Sequence, residues 1–187
     1  MTRRLLPCVL ALSLLTAACS HSDADVEVLG GDSDVLNKQI TLHNDVVTIK
    51  APGAPNATVD SNGTLSIDGH AVAVNEAQRA LLQRYNGGAR QIREDAIATG
   101  KAGVATAQKA IGAAAGKLTG ADSAEETKQK VEAAKQDVRA TASRICDDLA
   151  TMKSAQDELA PQLDAFKPYA QALNDADVAK CRDGLRH

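Results

Sequence analysis

The stretch Leu65-Ser66-Ile67-Asp68-Gly69-His70-Ala71-Val72-Ala73-Val74-Asn75-Glu76-Ala77-Gln78 contains two structural periods and the junction between them. Leu65 and Ile67, then Val72 and Val74, recur at every second position, the spacing of a strand with one buried face. Asp68-Gly69 between the pairs is a two-residue hairpin signal, because both residues accept the positive φ that such a turn needs. At Asn75 the alternation stops. Its side chain can cap a helix, and Gln78 stands at the position that completes a capping box. Upstream, the same period of two appears in Ile40 and Leu42 and in Val47 and Ile49. Turn chemistry separates these runs at His43-Asn44-Asp45, at Pro52 to Pro55 and at Asn62-Gly63, the last read as a second two-residue hairpin. The reading is a small antiparallel β-meander over residues 38–74.

Downstream the pattern is helical. The first helix is expected to reach about Tyr85, with a break or tight kink at Asn86-Gly87-Gly88. Ile97, Val104, Ile111 and Leu118 then recur seven apart, with the small residues Gly100, Ala107 and Ala114 between them. Gly112 and Gly116 form a small-xxx-small pair, but Lys101, Lys109 and Lys117 interrupt every apolar window, so close helix packing is read here rather than a membrane span. Gly120 ends this helix, and Ser123 with Glu126 forms a second capping box. The next helix repeats Val131, Val138, Ile145, Met152, Leu159 and Phe166, with Ala134, Ala142, Leu149, Ala155 and Leu163 as a second seam. Seven-residue spacing of this length predicts winding against another helix, and Pro161 predicts an interruption near the end. Two long helices joined by a turn at 119–122 make an antiparallel hairpin. The second is expected to overhang the first and find cover on the strands. The fold class is therefore α+β, with the helical region 75–187 packed on the meander as one domain.

The N-terminus is an address. Arg3 and Arg4 precede an apolar run from Leu5 to Leu15, about half the length of a spanning helix, and the small residues Thr16, Ala17 and Ala18 precede Cys19. Residues 1–18 read as a signal peptide. Leu15-Thr16-Ala17-Ala18-Cys19 resembles the bacterial lipobox, which implies lipid on Cys19 and a membrane anchor; cleavage after Ala17 or Ala18 without lipid is the alternative, leaving a soluble periplasmic protein. Ser20 in place of Asp after the cysteine points to the outer membrane. Residues 19–37, small and acidic with Gly30-Gly31, read as a lipidated flexible tether. Cys8 leaves with the signal peptide, so Cys146 and Cys181 are the two thiols left to form a disulfide in an oxidising compartment.

After cleavage 19 basic residues face 24 acidic ones, a formal charge of −5, which argues against a nucleic-acid partner. One Phe, two Tyr and no Trp leave few rings for stacking. Asp60-Ser61-Asn62-Gly63-Thr64 has a calcium-loop flavour, but Leu65 and Ala71 occupy the positions where Gly and Glu are needed. No zinc spacing, HExxH or nucleophile elbow occurs, and His43, His70 and His187 are scattered. No catalytic residue, metal ligand or cofactor is expected.

The run from Ser61 to Asn75, followed by Gln78 and Tyr85, resembles the YggN-like family of uncharacterised bacterial periplasmic proteins over about residues 38–120. That resemblance implies a strand-and-turn motif before a long helical half, and it carries no functional residues. The expected function is a non-catalytic envelope lipoprotein that binds or scaffolds another envelope protein. Alternatives are an inhibitor or immunity lipoprotein against a cell-wall hydrolase or toxin, a membrane-active or chaperone-like role for the Gly/Ala-rich helix, and an envelope enzyme.

Overall fold

The computed structural model describes residues 33–36, 39–119 and 124–186. Six strands, β1 (Ser33–Leu36), β2 (Ile40–His43), β3 (Val46–Ile49), β4 (Ala57–Val59), β5 (Leu65–Ile67) and β6 (His70–Ala71), form one antiparallel sheet in sequence order. Helices α1 (Glu76–Thr119) and α2 (Ala124–Leu159) follow, then a 3-10 segment (Asp164–Tyr169) and a short helix α3 (Asp175–Gly184). The fold is α+β, a meander followed by a long helix pair, within one compact unit, Asp32–His187.

Alternation in the sequence becomes two rows across one face of the sheet. Leu42, Val47, Val59 and Leu65 are register partners in one row, and Ile40, Ile49, Ala57 and Ile67 in the other. All but half-buried Ile67 are fully buried. Directly opposed apolar side chains are the unit of sheet stabilisation, and a slip of one residue would turn every one of them outward. The turns hold the register: Asn44 and Asp45 both have positive φ between β2 and β3, as do Asp68 and Gly69 between β5 and β6.

Several expectations are corrected. The tether expected over 19–37 ends sooner, because Ser33–Leu36 pair with β2 through an irregularity between Asp34 and Leu36. Ala57–Val59 is a strand the alternation did not mark, being too short and starting two residues after Pro55. Asn62-Gly63 lies in a five-residue loop, residues 60–64, rather than a two-residue turn; Asp60 accepts hydrogen bonds there from the N–H groups of Asn62 and Thr64. Strand β6 stops at Ala71, although Val72 donates one further bond to the Leu65 carbonyl. Asn75 and Gln78 do form the reciprocal capping box, at 2.8 and 2.9 Å.

The largest correction concerns Asn86-Gly87-Gly88, which lies inside an unbroken helix. Asn86 is buried and donates to the Asp45 and Val59 carbonyls, fastening α1 to the sheet. Gly88 faces α2, where a Cβ would stand 2.5 Å from Met152 Cγ and 3.2 Å from the Asp148 carbonyl oxygen. Residues that signal a break locally are here the means of close packing. Because α1 therefore starts at Glu76, α2 does not overhang it. Gln78 reaches the Gln162 carbonyl, Arg84 pairs with Glu158 and Asp95 with Arg144, one antiparallel register throughout. Helix α2 ends at Leu159, two residues before Pro161. Phe166 continues the seven-residue spacing but belongs to the 3-10 segment. Of the turn expected at 119–122, Thr119 is still helical, and residues 120–122 lie outside the described residues together with the capping residue Ser123.

The core joins the sheet face to Leu82, Tyr85, Ala89 and Ile92 of α1 and to Leu149, Met152, Ala155 and Leu159 of α2. Phe166 and Tyr169 close it. Tyr85 and Phe166 meet edge to face at 6.4 Å, and the Tyr169 hydroxyl donates to the Pro55 carbonyl.

Candidate functional site

Helix α1 has 44 residues, about 66 Å at the usual rise, far longer than the sheet it covers. Among the described side chains, the last buried one on α1 is Asp95 and the first on α2 is Cys146. Beyond that level the two helices run on as an arm. Three large apolar residues among those described are exposed, Val104 at 60%, Val131 at 39% and Val138 at 42%, and all three are on the arm. The heptad expectation is corrected accordingly: inner positions Met152 and Leu159 are buried, Ile97 and Ile145 are half-buried, and Val104, Val131 and Val138 face solvent. A helix pair buries only the stripe positions that face the partner helix, and these three valines stay exposed. The side chain of Ile111 lies outside the description.

A polar layer marks the base of the arm. The Asp95 carboxylate, largely buried, takes the Arg144 guanidinium at 3.2 Å, and Arg144 also donates to Thr141. Burial pushes the neighbouring Asp148 carboxyl above the usual carboxylate range; Asp95 and Asp147 add to the effect and Arg144 opposes it.

On the opposite end, the C-terminal segment is tied down. Gln156 is fully buried, donates to the Ala170 and Leu173 carbonyls and accepts from the Leu173 N–H. Cys146 and Cys181 are joined by a disulfide that links α2 to α3. Between these helices lies an open cleft of about 550 Å³ containing Lys153, Ser154, Asp157, Glu158, Asp175 and Arg182. Its charges pair with one another or with neighbours: Lys153 with Asp157 and Asp175, Glu158 with Arg84, and Arg182 with Asp147. The Asp157 hydrogen bond raises the Lys153 ammonium above its ordinary value, against the effect of burial. Such a cleft has little unspent polarity to offer a ligand.

Of the residues singled out in the sequence, Cys19 and His187 lie outside the described residues. His43 is exposed beside Asn44, and His70 is exposed and bonded to the Asp68 carbonyl, too far apart in the sheet to act together. Among the described residues, no group of three or more His, Cys, Asp or Glu side chains is placed to hold a metal ion, and no helix is long and apolar enough to cross a membrane. Sequence reasoning missed the exposure of the arm, because a seven-residue repeat shows that a stripe is apolar and not what covers it.

A meander capped by the start of a helix pair, whose outer ends stand clear as an arm, defines the class of protein. A family model described as "Protein of unknown function (DUF2884)" matches residues 35–137, more than half of the chain, and the chain belongs to that family. The match takes in the sheet from the second half of β1 onward, all of α1 and the outer end of α2. No curated protein and no solved structure matches the chain.

Proposed function

We propose that this protein is a cell-envelope lipoprotein of the YggN-like kind, attached to the periplasmic face of the outer membrane through lipid on Cys19. It works as a non-catalytic binding or scaffold module, with the arm as its contact surface for a further protein of the envelope. The observation that carries this reading is the grouping of exposed Val104, Val131 and Val138 on the arm, while comparable residues elsewhere in the described chain are buried or half-buried. An apolar stripe left in water has a cost of about 25 cal/mol per Å², which a partner would recover. The lipobox-like run before Cys19 supports the address, since acyl chains supply membrane affinity that the polar remainder lacks. The inhibitor reading calls for a protruding acidic loop, whereas the protruding element here is helical and its α1 portion carries Lys101, Lys109 and Lys117 with no acidic residue in 97–119.

Photo-cross-linking in intact envelopes tests the reading. A photoreactive residue at Val104 or Val138 should give protein adducts, and one at His70 on the sheet should not. Adducts from the sheet alone would overturn the arm as the contact surface. Fatty-acid labelling of the parent and not of Cys19→Ala is expected in parallel; equal labelling, or none, would defeat the anchor.

A further inference from the structure

We infer that the arm's partner docks as a β-strand, pairing with the open edge of β1 beneath α1 and extending the sheet by one strand. This rests on the arm being a contact surface and names the form of what it contacts. The two sides of α1 are distinguished by what they touch. Arg84, Gly88 and Asp95 meet α2, at Glu158, Met152 and Arg144. Asn86 instead bonds the Asp45 and Val59 carbonyls of the sheet, Arg90 pairs with Asp45, and Ile97 lines a small pocket with Leu42 of β2. Eighteen residues separate Asn86 from Val104, which is five turns at about 3.6 residues each. Val104 therefore stands on the side of α1 that faces the sheet and not on the side that faces α2.

Closer to the body, strands cover that side. Helix α1 touches β4, β3 and β1 as it crosses the meander, and β1 is the edge strand, with β2 as its one partner among the described residues. Val104 lies seven residues beyond Ile97, about 10.5 Å along the helix, or up to two strand spacings of about 4.8 Å. Its 60% exposure shows that the helix has by then run past the cover of the sheet. Arm and edge thus form a corner, with backbone N–H and C=O groups open along β1 and an apolar roof above the place of the next strand. A strand-adding partner uses both parts, main-chain bonds to the edge and apolar contacts for alternate side chains. A helical partner would use the roof alone and leave the edge unpaired. The irregularity between Asp34 and Leu36 confines the added pairing to a short segment.

Charge sets the chemistry of the docking segment. Lys101, Lys109 and Lys117 are the charged residues of 97–119, with no acid among them, and Lys101 is exposed one turn before Val104. An extended segment that is apolar at alternate positions and net acidic complements this roof. The opposite edge of the sheet offers no equal site, since β6 has two residues.

The test is photo-cross-linking of the full-length protein in intact envelopes from two sites, Asp34 in β1 and Val104, with peptide mapping of the adducts. Both sites should capture one polypeptide, within a single segment of about ten residues or fewer, the length of a strand. A synthetic peptide of that segment should then slow amide exchange along β1 in the purified protein. Its binding should be lost in Val104→Asp, a change at an exposed position that leaves the sheet's thermal transition in place, weakened in Lys101→Glu and kept in Lys101→Arg. Adducts from the two sites that map to separate segments or to different polypeptides, or β1 exchange that the peptide does not slow, would overturn strand addition and leave the arm as a contact surface. Unchanged binding in Lys101→Glu would overturn the acidic character of the segment. Adducts confined to the chain's own mass, or none from the arm, would overturn the contact surface as well.

Discussion

Asp148 lies where the packed part of α2 gives way to the arm, and its carboxyl is raised by burial first and by Asp95 and Asp147 next. A carboxyl with a raised value in the folded state binds its proton more tightly there than in the unfolded chain. The sign of the linkage follows: stability is lost as pH climbs through the ordinary Asp value, about 3.9, toward the raised one, because ionisation is then harder in the fold than out of it. Asp148→Asn removes that loss. It should raise the melting temperature at pH 7, and the gain should vanish once the pH is below the ordinary Asp value. Melts of parent and variant at both pH values check it, and an equal gain at both would show that charge is not the cause. None of this was legible in the sequence, where Asp148 is one of two adjacent acids on a helix; Asp95 reaches it only through the antiparallel register.

The helices show how one residue type carries opposite meanings within one turn. Gly87 has nothing within 4 Å of where a Cβ would stand, whereas Gly88 has Met152 and the backbone of Asp148 against it. Glycine costs about 1 kcal/mol relative to alanine inside a helix, so Gly87→Ala should stabilise by up to that amount. Gly88→Ala gains the same propensity but pushes a methyl into fully buried Met152, an overpacking cost of about 1–3 kcal/mol, and should destabilise on balance. Denaturant unfolding of the two variants gives the comparison directly. If both stabilise, α1 and α2 are further apart at this level than the structure has them. Much else about these elements could be read in advance: Asn75 and Gln78 form their capping box, Pro161 sits beyond the end of α2, and Asn44-Asp45 and Asp68-Gly69 turn the chain. These are local effects, set by side chains within a few residues of the backbone groups they satisfy.

Across the whole molecule, stability is uneven. Sheet, inner helices and the 3-10 segment share one core, while α3 has no fully buried residue and is held by half-buried Val178 and Cys181, by surface ion pairs and by the disulfide. Exposed ion pairs contribute little. The disulfide closes a 35-residue separation, for which chain-entropy reasoning gives about 3–4 kcal/mol, less any native strain. Cys181→Ser should therefore lower the unfolding free energy by an amount of that order. Amide exchange should speed up in α3 well before the sheet, since Gln156 still holds the chain as far as Leu173. Persistent protection of α3 after reduction would mean that packing, not the bond, holds it.

By itself the sequence determined the fold class, the order of sheet and helix pair, and the ends of the two long helices, because alternation, heptad spacing, caps and turns are written in neighbouring residues. Tertiary structure alone decided the rest. It made Asn86 and Gly88 packing residues by setting the sheet and α2 beside them, and it buried Gln156 by folding Leu173 back on it. It also divided one uninterrupted apolar stripe into a covered inner part and an exposed arm. The physical reason is that periodicity specifies which side of a helix is apolar, whereas burial depends on what lies opposite, and the sheet ends long before the helices do.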